Sequence, residues 1–242
     1  ARESGICSIW FGQHLVTGPL QMFQITPLLA RIIPETKGMK IGSSVALLSI
    51  QNPIQFSEEM ATLDWLSDGN IICGAGIGYR PQEFEAAGIP MKIRGKRFEE
   101  ALKIVRQCWF EEEVNFTGEY FNIKHQIPSI KPKQKNGPPI WIAGEANIAI
   151  RRAALMGDAW LPLPVPNRHT LRKDLYANVQ PLRTKRTRRP AAAKQPSAVI
   201  QAVDDLANGA ASGRAMLQHI ARKAANQSPG CKGPGSKAIP RV

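Results

Sequence analysis

Five short runs of almost unbroken hydrophobicity govern what this chain can fold into. They are residues 7–11 (CSIWF), 40–48 (KIGSSVALL), 71–75 (IICGA), 139–143 (PIWIA) and 159–161 (AWL). A strand with one wet face alternates apolar and polar residues, whereas a strand covered on both faces does not. Helix punctuation separates the runs, and the units recur at roughly 30-residue spacing. That pattern predicts an α/β fold with a parallel sheet, closed or open.

The helical segments are marked by their ends. Thr26-Pro27 and Asn52-Pro53 each place a capping residue before a proline at the first helical position. After Pro53, the residues Phe56, Met60 and Leu63 share a face, and Asp68-Gly69 predicts the stop. Over 93–110, Phe98, Ala101, Leu102, Val105, Cys108 and Trp109 form an apolar stripe, with Glu99 four residues before Lys103 on the wet side. Asn147 is placed to cap a helix ending at Met156-Gly157. One excursion interrupts the rhythm: 114–121 reads as a β-hairpin turning at Thr117-Gly118, and 128–139 as a loop.

Charge divides the chain in two. Residues 1–164 hold 17 Lys+Arg against 16 Asp+Glu, whereas residues 165–242 hold 15 against 3. The second part has no Trp or Phe, and Leu, Ile, Val and Phe make up only 13 of its 78 residues, too few for a core. The reading is therefore a globular domain over 1–164 and a basic, low-aromatic tail over 165–242. The tail is expected to be disordered, or to be the product of a shifted reading frame, with helical spacing only near 197–207 and 213–225. A role in binding nucleic acid or an anionic surface is the rival. Its run from Arg183 to Arg189 offers phosphate contacts but no interleaved aromatics, so nucleic acid is not the expected partner. The four cysteines include no CxxC pair, which argues against a zinc ribbon or disulfide framework and fits a reducing cytoplasm. No metal site is expected. There is no 18-residue apolar run and no signal-peptide core, so no membrane span is expected either.

In a parallel α/β fold, ligands lie at the carboxyl ends of the strands. The first such end, Gly12-Gln13-His14, offers either a general base or a histidine simply packed in a loop. The third, Gly74-Ala75-Gly76-Ile77-Gly78-Tyr79-Arg80, has glycines at alternate positions, which suit either close approach to a ligand or tight packing. Its spacing is GxGxG rather than the dinucleotide GxGxxG, and Glu83 and Glu85 come too soon to be a ribose-binding acid. The fourth, Gly144-Glu145-Ala146-Asn147, leads into a helix whose N-terminus can receive an anion.

Together, these segments resemble the luciferase-like flavin-dependent oxidoreductase and monooxygenase family, which includes bacterial luciferase and deazaflavin-dependent reductases. The resemblance is carried by 61–69 (ATLDWLSDG), 74–90 (GAGIGYRPQEFEAAGIP), 94–102 (RGKRFEEAL), 118–121 (GEYF) and 138–144 (PPIWIAG). It implies a TIM (β/α)₈ barrel, incomplete at both ends here, because the first barrel strand would precede residue 1 and the pattern fades after Pro164. It also implies an enzyme whose flavin lies across the C-terminal mouth and which acts on a small organic substrate.

The site residues follow from the same resemblance. His14 matches the active-site histidine. The strand containing Ser44 and Val45 would carry a non-proline cis peptide against the flavin ring. Gly76, Ile77, Gly78 and Tyr79 would line the cofactor, and Gly144, Glu145 and Ala146 would hold its phosphate. Trp10, Phe11 and Tyr79 are candidates for the apolar wall. Where luciferase has an arginine and hydroxyl residues, this chain has Ile77, Ala146 and Ala149. The phosphate would then rest on backbone N–H groups with Arg80 or Arg151. FMN is the expected cofactor, with the deazaflavin coenzyme F420 as the alternative and NAD(P)H as a possible reductant. A homo- or heterodimer is compatible with the family, and an inactive barrel fragment is the remaining alternative.

Overall fold

The computed structural model describes residues 6–36 and 38–162. The expectations for 165–242, including its two helical stretches and the basic run from Arg183, lie outside the described residues. In chain order the elements are β1 (Ser8–Phe11), α1 (Ile25–Thr36), β2 (Lys40–Ser43), α2 (Pro53–Leu66), β3 (Ile71–Ala75), α3 (Pro81–Ala86), α4 (Arg94–Phe110), β4 (Val114–Thr117), β5 (Asn122–Gln126), β6 (Ile140–Ala143), α5 (Asn147–Met156) and β7 (Ala159–Leu161).

Among these residues the main sheet has the spatial order β1-β2-β3-β6-β7, with every neighbouring pair parallel. Spatial order follows chain order without reversal. A doubly wound sheet would reverse at a switch point and carry helices on both faces. Here one core takes Ile25 and Leu29 from α1, Phe56, Met60 and Leu63 from α2, Phe98, Leu102 and Val105 from α4, and Ile150 from α5. All of them pack on Ile41, Ile71, Cys73, Ala75, Ile140 and Ile142 of the sheet. The helices therefore share one face, as in the wall of a barrel.

The other face carries Trp10 and Trp141, whose rings lie 4.9 Å apart at 37°. Gly42 pairs with Trp10 and Gly74 with Trp141, so each tryptophan lies beside a strand position that has no side chain, while Ile72 of β3 stands level with Gly42. Phe11, one residue along from Trp10, points the opposite way and packs on the helix-side core. It is not part of an apolar wall at the mouth. The near-continuous hydrophobicity of 7–11 hid this, because it gives no alternation from which to read the two faces.

Several local expectations meet competing partners. The strand expected over 40–48 stops at Ser43, where its hydroxyl donates to Gly74 O at 2.7 Å and the next N–H, of Ser44, donates to Phe11 O. Ala46 then makes a single bridge to Ala75. Asn52 caps α2 as expected, its side chain accepting from the N–H groups of Ile54 and Gln55. Thr26 caps nothing: α1 begins at Ile25, and the Thr26 hydroxyl donates to Glu59 at 2.8 Å. Glu99 reaches across to Arg152 Nε of α5 at 2.6 Å rather than serving only its own helix. In the hairpin, β5 begins at Asn122 instead of following Gly118 directly. The carboxylate of Glu100 accepts the N–H groups of Glu119, Tyr120 and Phe121 and draws those residues into a loop.

Phe98 sits at the centre of this core, fully buried between α4 and its neighbours. Phe98→Ala should lower the unfolding free energy by about 3–5 kcal/mol, read from urea denaturation. An unchanged midpoint would contradict the packing described.

Candidate functional site

Parallel pairing sends the carboxyl ends of all five strands to one edge, and the residues expected at the site follow those ends. Gly12-Gln13-His14 follows β1, Ser44-Val45 follows β2, Gly76 to Tyr79 follows β3, and Gly144 to Ala146 follows β6. The histidine and the two glycine turns therefore lie on the same edge. From β1 to β6 is three strand spacings, about 14 Å.

The first three segments are in contact. The Ser44–Val45 peptide bond is cis, at the place the resemblance implied. Val45 packs against the bare Cα of Gly76: a methyl group added there would lie 2.6 Å from Val45 Cγ2. Gly76 N–H donates to Ala46 O at 3.0 Å, and Ser49 Oγ donates to Ile77 O at 2.7 Å, which fixes the turn from below. Gly78 has φ +73°, a conformation that favours glycine. Tyr79 follows with 70% of its surface exposed, and its ring meets the His14 ring edge-on at 5.7 Å.

His14 is half-buried and held on both sides. Its Nδ1 lies 2.7 Å from Glu83 Oε1, and its carbonyl accepts from Gln24 Nε2 at 3.3 Å. The same Glu83 oxygen accepts Leu15 N–H at 3.0 Å. Arg80 donates to the carbonyls of Leu15 and Val16 at 3.1 and 3.4 Å and lies 3.7 Å from Glu83. Arg80 is thus committed to the loop after β1 rather than to a phosphate. Gln13 Oε1 accepts Leu47 N–H at 2.9 Å and Gln51 Nε2 at 3.0 Å, joining this loop to the segment after β2.

The turn after β6 is built differently. Gly144 has φ +128°, and its carbonyl accepts Trp160 Nε1 at 2.7 Å. Glu145 Oε1 is buried without a hydrogen-bond partner among the described residues. The N-cap of α5 is Ala146, which makes no side-chain cap bond; Asn147 is the first helical residue instead. Arg151 is exposed on α5, whereas Arg152 is buried against Glu99.

Glu83 was not singled out from the sequence as a site residue, yet it is fully buried beside His14. Its signal was the Arg-Pro-x-Glu-Phe run, which puts a carboxylate in the first turn of α3 directly after the glycine turn. Cys73 offers no nucleophile, because burial pushes its thiol up to about 12. Among the described residues no group of three or more His, Cys, Asp or Glu could hold a metal ion, and no helix is long and apolar enough to cross a membrane.

A sequence profile described as luciferase-like monooxygenase matches residues 1–232. The chain belongs to that family. Among curated members, an F420-dependent glucose-6-phosphate dehydrogenase from Amycolatopsis mediterranei is 28% identical over 168 residues, covering 66% of this chain and 50% of the relative. A phthiodiolone/phenolphthiodiolone dimycocerosates ketoreductase from Mycobacterium kansasii is 28% identical over 187 residues, covering 67% and 50%. The chain spans about half the length of these relatives.

Two solved structures bear on the fold. An F420-dependent secondary alcohol dehydrogenase in complex with an F420-acetone adduct superposes with TM-score 0.67 at 19% identity, covering 78% of this chain and 59% of that one. The oxygenating constituent of 3,6-diketocamphane monooxygenase from Pseudomonas putida, in complex with FMN, gives 0.63 at 20% identity, covering 78% and 55%. The described sheet is accordingly an arc of the family's (β/α)₈ barrel.

The floor beneath the mouth offers a test. A Cβ on Gly42 would lie 2.2 Å from the Trp10 ring. Gly42→Ala should displace Trp10 from Trp141, cost about 1–3 kcal/mol of stability and alter the near-ultraviolet circular dichroism. An unchanged spectrum and melting temperature would contradict the inward pairing of the two tryptophans.

Proposed function

We propose that this chain carries the cofactor-facing part of a flavin-type oxidoreductase acting on a small organic substrate. One observation carries the reading: within a luciferase-like chain, His14, Val45 and the bare Gly76–Tyr79 turn meet at the mouth of the parallel sheet. Strand carboxyl ends are where such folds do their chemistry.

The residues present fit a flat, anionic cofactor. The exposed Ser44, the Gly76-Ile77-Gly78 backbone and Tyr79 would hold the ring system. The N-terminus of α5, uncapped by any side chain at Ala146, would receive the phosphate through backbone N–H groups after Gly144 and Glu145. Arg151 is the cation on that helix left for the phosphate, since Arg152 is buried against Glu99, and Arg80 is engaged at the loop after β1.

When bound, the cofactor supplies the two-electron chemistry, exchanging hydride with substrate as a deazaflavin or using O₂ as reduced FMN. The chain's own residues orient it, exclude water and handle a proton at His14 Nε2, the ring nitrogen not engaged by Glu83. The F420-dependent dehydrogenase among the relatives favours F420, and it and the ketoreductase favour a substrate that is oxidised or reduced at carbon. The FMN-bound monooxygenase structure supports the second reading, with FMN, O₂ and a reductant such as NAD(P)H. Cytoplasmic residence, supported by the buried thiols Cys73 and Cys108, and a dimeric assembly complete the proposal.

Fluorescence titration of the full chain with F420 and with FMN tests the reading. One of the two should bind saturably, and His14→Asn should keep that affinity within about threefold while lowering kcat about 10²–10⁴-fold. Absence of binding to either cofactor, or full activity in His14→Asn, would overturn it.

A further inference from the structure

We infer that Glu83 is the positioning residue of this site: it holds His14 in the tautomer that carries its proton on Nδ1 and leaves a lone pair on Nε2. The catalytic consequence rests on the reading of His14 given above, but the tautomer itself does not.

The geometry fixes which partner donates. Glu83 lies in the first turn of α3 with no exposed surface, and its Oε1 is the atom shared by all its contacts. Leu15 N–H donates to that oxygen at 3.0 Å, and the Arg80 guanidinium stands 3.7 Å away. Both present positive potential to Oε1, so the carboxylate is the acceptor and the imidazole Nδ1–H, at 2.7 Å, is the donor. A protonated carboxyl donating to Nδ1 would have to forgo that arrangement. The other oxygen, Oε2, is buried with no hydrogen-bond partner among the described residues, so none of them offers an acceptor for a carboxyl proton there. Exposed histidine in water prefers the opposite tautomer, with the proton on Nε2. Burying a carboxylate against Nδ1 reverses that preference.

The ring has little freedom to escape the contact. Arg80 pins the carbonyls of Leu15 and Val16, Gln24 holds the carbonyl of His14, and the Tyr79 ring closes the remaining side. Among the described residues, Glu83 and Arg80 are the charged groups facing His14, both from the turn and helix after β3. When Nε2 takes up a proton, the resulting imidazolium sits against a carboxylate already in place. The arrangement is the orienting acid of a proton-handling pair, built across two strand ends that are 69 residues apart in sequence.

Nitrogen-15 NMR of the ring nitrogens, on the full chain without cofactor or substrate, reads the tautomer directly, with His14 assigned by the signals lost in His14→Asn. At a pH where the ring is neutral, wild type should show a protonated Nδ1 and a bare Nε2. Glu83→Gln keeps a carbonyl acceptor and should keep that pattern, whereas Glu83→Met, similar in length but with no oxygen, should revert to protonated Nε2. In turnover with whichever of F420 or FMN binds, Glu83→Met should lose about 100-fold in kcat with KM within about threefold. A bare Nδ1 in wild type, or an unchanged pattern in Glu83→Met, overturns the inference. Should Glu83→Met fail to fold by circular dichroism, the wild-type pattern alone decides. Failure of both cofactors to bind would count against the proposed function and would leave the tautomer result unaffected.

Discussion

The constraint on which the rest depends is that every strand of the sheet runs the same way. Parallel neighbours cannot be joined by a tight turn, so each strand needs a crossover that carries the chain back to the starting edge. In this protein the crossovers wind in one sense, β1 to β2 to β3 to β6 to β7, and α1, α2, α4 and α5 cover a single face. Two consequences follow together. The helix-side face becomes one continuous apolar core, and the loops leaving the strands collect at the other end from the loops entering them. The site is a product of that separation. Stability is concentrated between helices and sheet, while the edge beyond Phe11, Ser43, Ala75 and Ala143 is left to be shaped by polar contacts.

Those polar contacts have a common form. A carboxylate fixed in or beside a helix or strand accepts backbone N–H groups from a loop far away in sequence. Asp64 of α2 accepts Gln134 N–H at 2.8 Å and its side-chain amide at 2.7 Å, tying down the long loop before β6. Glu100 of α4 holds the hairpin loop, Glu58 accepts Ser129 N–H at 2.7 Å, and Glu83 takes Leu15 N–H together with the His14 ring. Hydrogen bonds to a charged group are worth roughly 1.5–3 kcal/mol each, about twice a neutral one. Loops that cannot contribute to the core are held in this way, and at Glu83 the same device orients a histidine.

This division explains what the sequence made legible. The strands could be read because burial on both faces leaves an unbroken hydrophobic run. α2 and α4 could be read because Asn52 caps locally and Phe98 to Trp109 keep a helical period. What could not be read depended on partners distant in the chain. Thr26 looked like a cap until Glu59 took its hydroxyl, and the hairpin loop could not be placed without Glu100. Phe11 and Trp10 were not assigned to faces, because a run with Ser8 as its one polar residue shows no repeated alternation from which to take the phase. His14 was visible by its place after a strand, and the two glycine turns by composition. Their mutual contacts were not visible, and neither was Glu83, since nothing in the run from Arg80 to Phe84 names a partner 69 residues upstream.

The surface we propose for a flavin-type cofactor is the strand carboxyl edge. Hydrogen–deuterium exchange of the full chain with and without saturating F420, and in parallel with FMN, tests it most directly. One of the two should slow exchange at residues 12–16, 44–47, 76–80 and 144–148, with little change at 38–39, 69–70 and 137–139 at the opposite edge. Protection confined to the opposite edge, or spread over the outer helix surfaces with the four mouth segments unchanged, would contradict it.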